Sequence, residues 1–411
     1  MYVFWGIFVV TIVYLVVRSR MIDFFSLATV CFYLYHMPYL FGSFEYELLY
    51  LNHTSIGGLA YFYVSMIASV LFLAMVFFDF NIRGKVRVAK PLAPVDLVQI
   101  RCVLGIAIVL FLYALYTEGV SSLVNSKRGG GVMGPLFGMS TWAFLIGLSL
   151  GLVNRHRLTI CICLFCLLLS MLMTGSRSYF VVALVMCVLF FSAKNGEVVV
   201  VKNLRIVFLG GLVLGVTLLY KPLYRSIQDL DYSAVVALLS DSETYKGAFS
   251  FGESYVVASH FQQAIDSDLS LGGAFIIHRL LSIFPVIPSL FESLTASDYP
   301  RYSSIILSDY YNSSFGLASN IWAEGYALGG GLALCFILVA WIFVIYKSSV
   351  CWVLGYRSGV FPYLIPFIVY LSFYMHRLDI TFVLGAFKVC VFFYIFSYLV
   401  RLAIPRKRLG K

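Results

Sequence analysis

Four arginines stand in four separate polar joints of an otherwise apolar chain. Arg177 lies in the tight turn Thr174-Gly-Ser-Arg-Ser178, Arg225 closes Lys221-Pro-Leu-Tyr-Arg225, Arg279 follows His278 inside an apolar stretch, and Arg377 belongs to His376-Arg-Leu-Asp379. A guanidinium held in a short joint offers a rigid fork that matches a pair of phosphate oxygens, which lysine cannot do. Gathered at one surface, the four would surround a single phosphate group. Three groups near them could take a proton from a hydroxyl: His278, His376, and Glu324 in Asn320-Ile-Trp-Ala-Glu-Gly-Tyr326. Plainer roles exist for each. Interfacial arginines snorkel to lipid, Glu324 suits a helix N-terminus, Trp322 and Tyr326 fit an interfacial aromatic belt, and Arg377 can pair with Asp379.

The elements that must carry these groups are membrane helices. Of 411 residues 61% are hydrophobic and only 12% charged, and the mean hydropathy is +0.94. A soluble domain could not hide that much apolar surface. A bilayer core about 30 Å thick takes roughly 20 apolar residues. Eleven apolar runs of about that length, almost free of charge, occur near 2–17, 24–42, 56–78, 102–117, 135–152, 158–174, 179–193, 206–220, 324–346, 359–375 and 380–400. The first lacks a basic leader and has Arg18 and Arg20 behind it, so it reads as a retained helix and not a cleaved signal. Alternate joints separate the charges: 19 Lys and Arg fall on one side and 9 on the other, with Lys388 inside a run. The positive-inside rule makes the richer side cytoplasmic, leaving the N-terminus outside and the basic C-terminus inside. The net charge of +10 is therefore an orientation signal and gives no reason to expect a nucleic-acid partner.

The expected fold is an all-α polytopic membrane protein with about 11 transmembrane helices: 1–220 carry helices one to eight, 221–323 form one large outer loop, and 324–411 carry helices nine to eleven and a cytoplasmic tail. Within the loop 271–291 reads as an interfacial or re-entrant helix, because a crossing there would put Lys347 and Arg357 outside.

Other chemistries find less footing. None of the nine cysteines falls in the large loop, so no disulfide framework is expected there, and Cys161, Cys163 and Cys166 read as small apolar filler. The triplets Gly129–Gly131 and Gly329–Gly331 lack the strand and helix that a phosphate loop needs. Asp229-Leu-Asp231 and Asp266-Ser-Asp268 read as solvated loop acids, so no metal and no cofactor is expected. A flippase or transporter would spread charge along its spans and show related halves, and neither pattern is visible.

The order of these features resembles the bacterial O-antigen polymerase (Wzy-type) family, which polymerises lipid-linked oligosaccharide repeat units and shares a plan with O-antigen ligases. The resemblance rests on the Thr-Gly-Ser-Arg turn at 174–177, Arg225 after the next span, a large loop, Ala-Glu-Gly-Tyr at 323–326 and Arg-x-Asp at 377–379. Ser178 stands where a Gly is common, and Ala327-Leu328 where an Asn-Phe-like pair is frequent. The resemblance implies a metal-independent glycosyltransferase at the periplasmic face of the inner membrane. It would take an undecaprenyl-pyrophosphate-linked glycan as donor and a second lipid-linked repeat unit as acceptor, with a chain-length regulator as a further partner. Arg177, Arg225 and Arg377 would hold the pyrophosphate with Arg279 as a fourth, and His278, His376 or Glu324 would act as base. Tyr299, Tyr302, Tyr310 and Tyr311 would stack on sugars.

Overall fold

Long apolar runs in a bilayer must satisfy their backbone internally, and the helix does so within one segment. The computed structural model describes residues 1–18, 22–42, 56–82, 95–119, 135–195, 231–241, 253–266, 320–355 and 359–404, with isolated positions at 215, 223, 226, 227 and 270. Among them the regular structure is helical: α1 (Tyr2–Val17), α2 (Phe24–Tyr35), α3 (Gly58–Ile82), α4 (Leu97–Glu118), α5 (Pro135–Asn154), α6 (Arg157–Thr174), α7 (Ser178–Asn195), α8 (Tyr232–Ser240), α9 (Glu253–Asp266), α10 (Ile321–Leu354), α11 (Phe361–Tyr374) and α12 (Ile380–Ala403). A single turn, Pro38–Phe41, follows α2, and a 3-10 turn, Met375–Arg377, links α11 to α12. Caps set the ends: Asp23, Asp96, Asp231, Asn320 and Asp379 accept from the first backbone N–H groups of α2, α4, α8, α10 and α12. Left-handed Gly175 and Gly355 close α6 and α10.

Among the described residues six helices are long and apolar enough to cross a membrane, namely α3, α4, α5, α6, α10 and α12, while α1, α2 and α7 are apolar but shorter. Their outward faces are apolar. Leu332, Phe336, Val339 and Phe343 make an exposed stripe at helical spacing along α10, and Val9, Val10, Val13 and Val17 make another on α1. Apolar stripes facing outward suit lipid and not water. The expected run 206–220 lies, apart from Gly215, outside the described residues, as do 271–291 and the four tyrosines between 299 and 311.

The bundle has two packed groups. One holds α1, α2, α3, α9 and α10; the other holds α4, α5, α6, α7 and α12; and α11 touches α2, α5, α7, α10 and α12. Helix α5 is the central post, with 72% of its apolar stretch enclosed against 33% for α3, α4 and α6. Gly147 and Gly151, one turn apart, let α6 come close. A Cβ on Gly147 would stand 3.1 Å from Cys163 Sγ, and one on Gly151 would stand 3.2 Å from Thr159 and Ile160.

The two ends of the bundle differ in chemistry. At one, Arg18 bridges α1, α2 and α3: its Nε bonds Asp79 at 2.6 Å and an Nη bonds Asp23 at 2.7 Å, all nearly buried. Asp79 also accepts from the Tyr14 hydroxyl at 2.7 Å. The same end holds Trp352 donating to the Ile22 carbonyl at 3.3 Å and the Arg401–Asp96 pair at 3.2 Å. At the opposite end the start of α1, the end of α2, the start of α3, all of α9 and the 375–379 turn come together. Trp5 donates to the Leu40 carbonyl at 2.8 Å, Gly57 N–H to Gln262 at 2.9 Å, and Asn320 to the Val257 carbonyl at 2.6 Å. Helix α9, from the stretch read as outer loop, thus lies across the tips of α2, α3 and α10.

Helix α10 departs from a single span. A continuous helix would separate Trp322 from Trp341 by about 28 Å at 1.5 Å per residue. Their ring centres are 5.7 Å apart. The backbone breaks at Gly329 and Gly330, the latter at φ 61 and ψ −147, a region essentially reserved for glycine. Residues 321–328 therefore fold back along 331–341, and a Cβ on Gly325 would meet Ile337 at 2.7 Å. Gly331 takes the close approach of Tyr63, whose hydroxyl would stand 2.8 Å from a Cβ there. The glycine triplet 329–331 is a corner. Glu324, expected at the mouth of a straight span, sits instead on a short arm tucked into the bundle.

Candidate functional site

The tucked arm brings three separate stretches of sequence together. Asn320 starts it, its Oδ1 accepting from Trp322 N–H at 2.9 Å and its Nδ2 anchoring it to α9. One turn on, the Glu324 carboxylate accepts the Ile380 N–H at 2.9 Å. That places Glu324 on the N-terminus of α12, three residues beyond Arg377. Glu324 is 2% exposed. A carboxylate at a helix N-terminus meets the positive end of the helix dipole, so charge and hydrogen bond hold it in the same place.

On the other side of this arm Trp322 donates its indole N–H to His376 Nδ1 at 2.9 Å. The indole has no lone pair to offer, so Nδ1 of His376 is the acceptor and the neutral ring carries its proton on Nε2. The ring is completely buried, and desolvation, with His36 adding to it, pushes its pKa well below the ordinary imidazole value. It lies among Phe32, Tyr35, His36, Trp322 and Trp341, with ring centres between 5.2 and 5.8 Å away. In this arrangement His376 presents a hydrogen-bond donor. Trp322, read from sequence as a belt aromatic, has no exposed surface and instead sets the tautomer of a histidine 54 residues away.

The two described arginines of the expected phosphate cluster are both partly exposed and occupy turns at this end. Arg177 follows Gly175 and Ser176, where the Thr174 hydroxyl ties back to Ser170 at 2.8 Å and receives the Ser176 N–H at 3.2 Å. Its carbonyl starts α7 by accepting from Val181 at 2.9 Å. Tyr370 connects this turn to the other: its ring packs against that of Tyr179, which follows the turn, and it lies within electrostatic reach of Arg377. The rings of Tyr179, Tyr370 and Tyr374 continue the wall, with Tyr179–Tyr370 at 6.2 Å and Tyr370–Tyr374 at 5.0 Å. Asp379 caps α12, accepting from Phe382 N–H at 2.6 Å. Arg225, His278 and Arg279 lie outside the described residues.

Asp231 is an exposed helix cap, as expected of a solvated acid, and its pKa is lowered by bonds from the Ser233 hydroxyl and the Ala234 N–H. Among the described residues no three of His, Cys, Asp and Glu come together in a metal-holding group. Sequence reasoning passed over His36, a titratable residue inside an apolar run, although such placement is costly and by itself signals a role. No protein-family model matches the chain, and no curated protein or solved structure does either.

Proposed function

We propose that this chain is an integral-membrane glycosyltransferase that polymerises lipid-linked oligosaccharide repeat units at the outer face of a bacterial inner membrane. Eleven spans, a periplasmic N-terminus, a large periplasmic loop over 221–323 and a cytoplasmic basic tail belong to this reading. What supports it is the meeting of Glu324 with the 375–379 turn, and of that turn, through Tyr370, with the Arg177 turn. A carboxylate and two accessible guanidiniums from distant parts of the sequence then share one end of the bundle.

In the proposed reaction a hydroxyl oxygen of the acceptor unit bonds to the anomeric carbon of the donor. The bond from that carbon to the pyrophosphate oxygen breaks, and the electron pair leaves with undecaprenyl pyrophosphate. Arg177 and Arg377, joined by Arg225 and Arg279, stabilise the departing charge, and the hydroxyl proton passes to a base. Fixed cationic donors supply this stabilisation without reorganising during the step. Of the described base candidates Glu324 carries acceptor oxygens, whereas the free nitrogen of His376 carries a proton. His278 is the third candidate.

Deleting the gene and running surface lipopolysaccharide on a gel tests the reading. A single repeat unit on the core supports it. Bare core with polymer left on the carrier indicates a ligase, and repeat units trapped facing the cytoplasm indicate a flippase. Arg177→Ala and Arg377→Ala should each lower chain extension on the order of 100-fold, the cost of one lost charge-stabilising donor. Chains of normal length from both variants would overturn the phosphate assignment.

A further inference from the structure

His36 and His376 form a pair that the reaction above does not use. His36 follows α2, and its Nδ1 lies 2.9 Å from the Phe32 carbonyl. A carbonyl only accepts, so this Nδ1 carries the proton and Nε2 of neutral His36 holds a bare lone pair. His376 has the opposite arrangement, since the Trp322 indole N–H occupies its Nδ1 and leaves a proton on Nε2. One ring thus ends in an acceptor and the other in a donor.

Both rings are fully buried, and among the described residues both Nε2 atoms lack a hydrogen-bond partner. Leaving a buried polar atom unmatched costs about 1–3 kcal/mol, so two adjacent instances ask for an explanation. The rings meet edge to face with centres 5.2 Å apart. A ring nitrogen lies within one bond length of its ring centre, so the two open nitrogens belong to rings in direct contact. They are not bonded to each other. A metal ion would need lone pairs on both, and His376 supplies one at Nε2 only by giving up the Trp322 bond.

We infer that His36 and His376 bind one hydroxyl group between them, which accepts from Nε2–H of His376 and donates to Nε2 of His36. The chemistry is that of a neutral O–H with both roles open, a water or an alcohol such as a sugar hydroxyl. Phe32 stacks on His36 at 4.3 Å, and Tyr35, Tyr39 and Trp341 add further walls. Among the described residues Trp341 Nε1 is also buried without a hydrogen-bond partner, so a further donor stands beside the two histidine nitrogens. Trp322, on the arm that turns at Gly329–Gly330, holds the tautomer that makes the pair complementary.

Nitrogen-15 histidine NMR on the full chain in lipid nanodiscs tests this directly, because the protein has only six histidines. His36→Asn and His376→Asn assign the two residues. The expected spectrum shows a protonated Nδ1 on His36, a protonated Nε2 on His376, and magnetisation transfer from that Nε2 proton to a single hydroxyl. Transfer to water in the protein alone identifies a trapped water. Transfer that appears only on adding undecaprenyl-pyrophosphate-linked repeat unit identifies a sugar alcohol, an arm that rests on the polymerase reading. In either case His36→Asn, or His36→Gln should the first not fold, reduces or abolishes the transfer. Matching tautomers on the two rings, or no transfer with and without the lipid-linked unit, would overturn the inference. The gel phenotype of the deletion strain judges the polymerase reading separately.

Discussion

His376 could be picked out of the sequence as a reactive group, but its protonation pattern could not. That pattern comes from Trp322, 54 residues away, and the spacing between them carries no trace of the contact. Glu324 was legible for the same reason as His376, as a titratable residue at the edge of an apolar run, and its bond to Ile380 was not. His36 was hidden by its neighbours, since Phe32, Tyr35 and Tyr39 make the run look like plain span. A buried neutral histidine has a consequence for acid stability. Burial lowers the folded-state pKa of His376 below that of the unfolded chain. The unfolded state therefore binds more protons once pH drops below about 6.5, the ordinary imidazole value. Stability is complete above that pH and falls as pH decreases through it, by up to about 1.4 kcal/mol per pH unit for this residue. Thermal unfolding of purified protein between pH 8 and 5 should show the decline, and His376→Asn should make it shallower, with buried His36 supplying the remainder. An unchanged slope in the variant would place the acid sensitivity elsewhere.

Helix positions were readable because hydropathy and caps are local properties. The runs expected at 135–152, 158–174 and 380–400 appear as α5, α6 and α12 within a few residues at each end. The break in α10 was not readable, since Gly329–Gly331 sits within a stretch of high hydropathy that reads as one span. The backbone values at Gly330 and the meeting of Trp322 with Trp341 show that the triplet turns a corner. Gly330→Ala should cost about 1–3 kcal/mol, the range for forcing a side chain into such a conformation. Gly138→Ala is the control: it lies inside α5 with nothing near its missing Cβ, and it should gain about 0.5–1 kcal/mol from helix preference. Melting temperatures in detergent give both signs, and equal shifts would count against the corner. The Arg18 network offers a second element-level test, because it fastens α1 to α2 and α3. Arg18→Leu leaves two nearly buried carboxylates facing each other and should cost about 3–5 kcal/mol.

At the scale of the whole molecule the charge asymmetry and the two chemical ends of the bundle are independent observations that make one claim. Joints rich in Lys and Arg were assigned to the cytoplasm from sequence, and Arg18, Asp23, Asp96 and Arg401 share one end of the bundle. The joints assigned outside, among them 175–177 and 375–379, carry the arginine turns of the opposite end, where Glu324 meets α12. Which end faces the periplasm decides whether the proposed chemistry is possible, because a donor presented on the outer leaflet cannot reach a site on the inner one. Alkaline phosphatase, active only outside the cytoplasm, reads this out. Inserted at Asn125, between α4 and α5, it should be active; inserted at Lys90, between α3 and α4, it should be inactive. The reverse result would put Arg177, Arg377 and Glu324 in the cytoplasm, where a periplasmic polymerase could not use them. The hydroxyl site between His36 and His376 would survive such a reversal, since it depends on two tautomers and not on the direction the bundle faces.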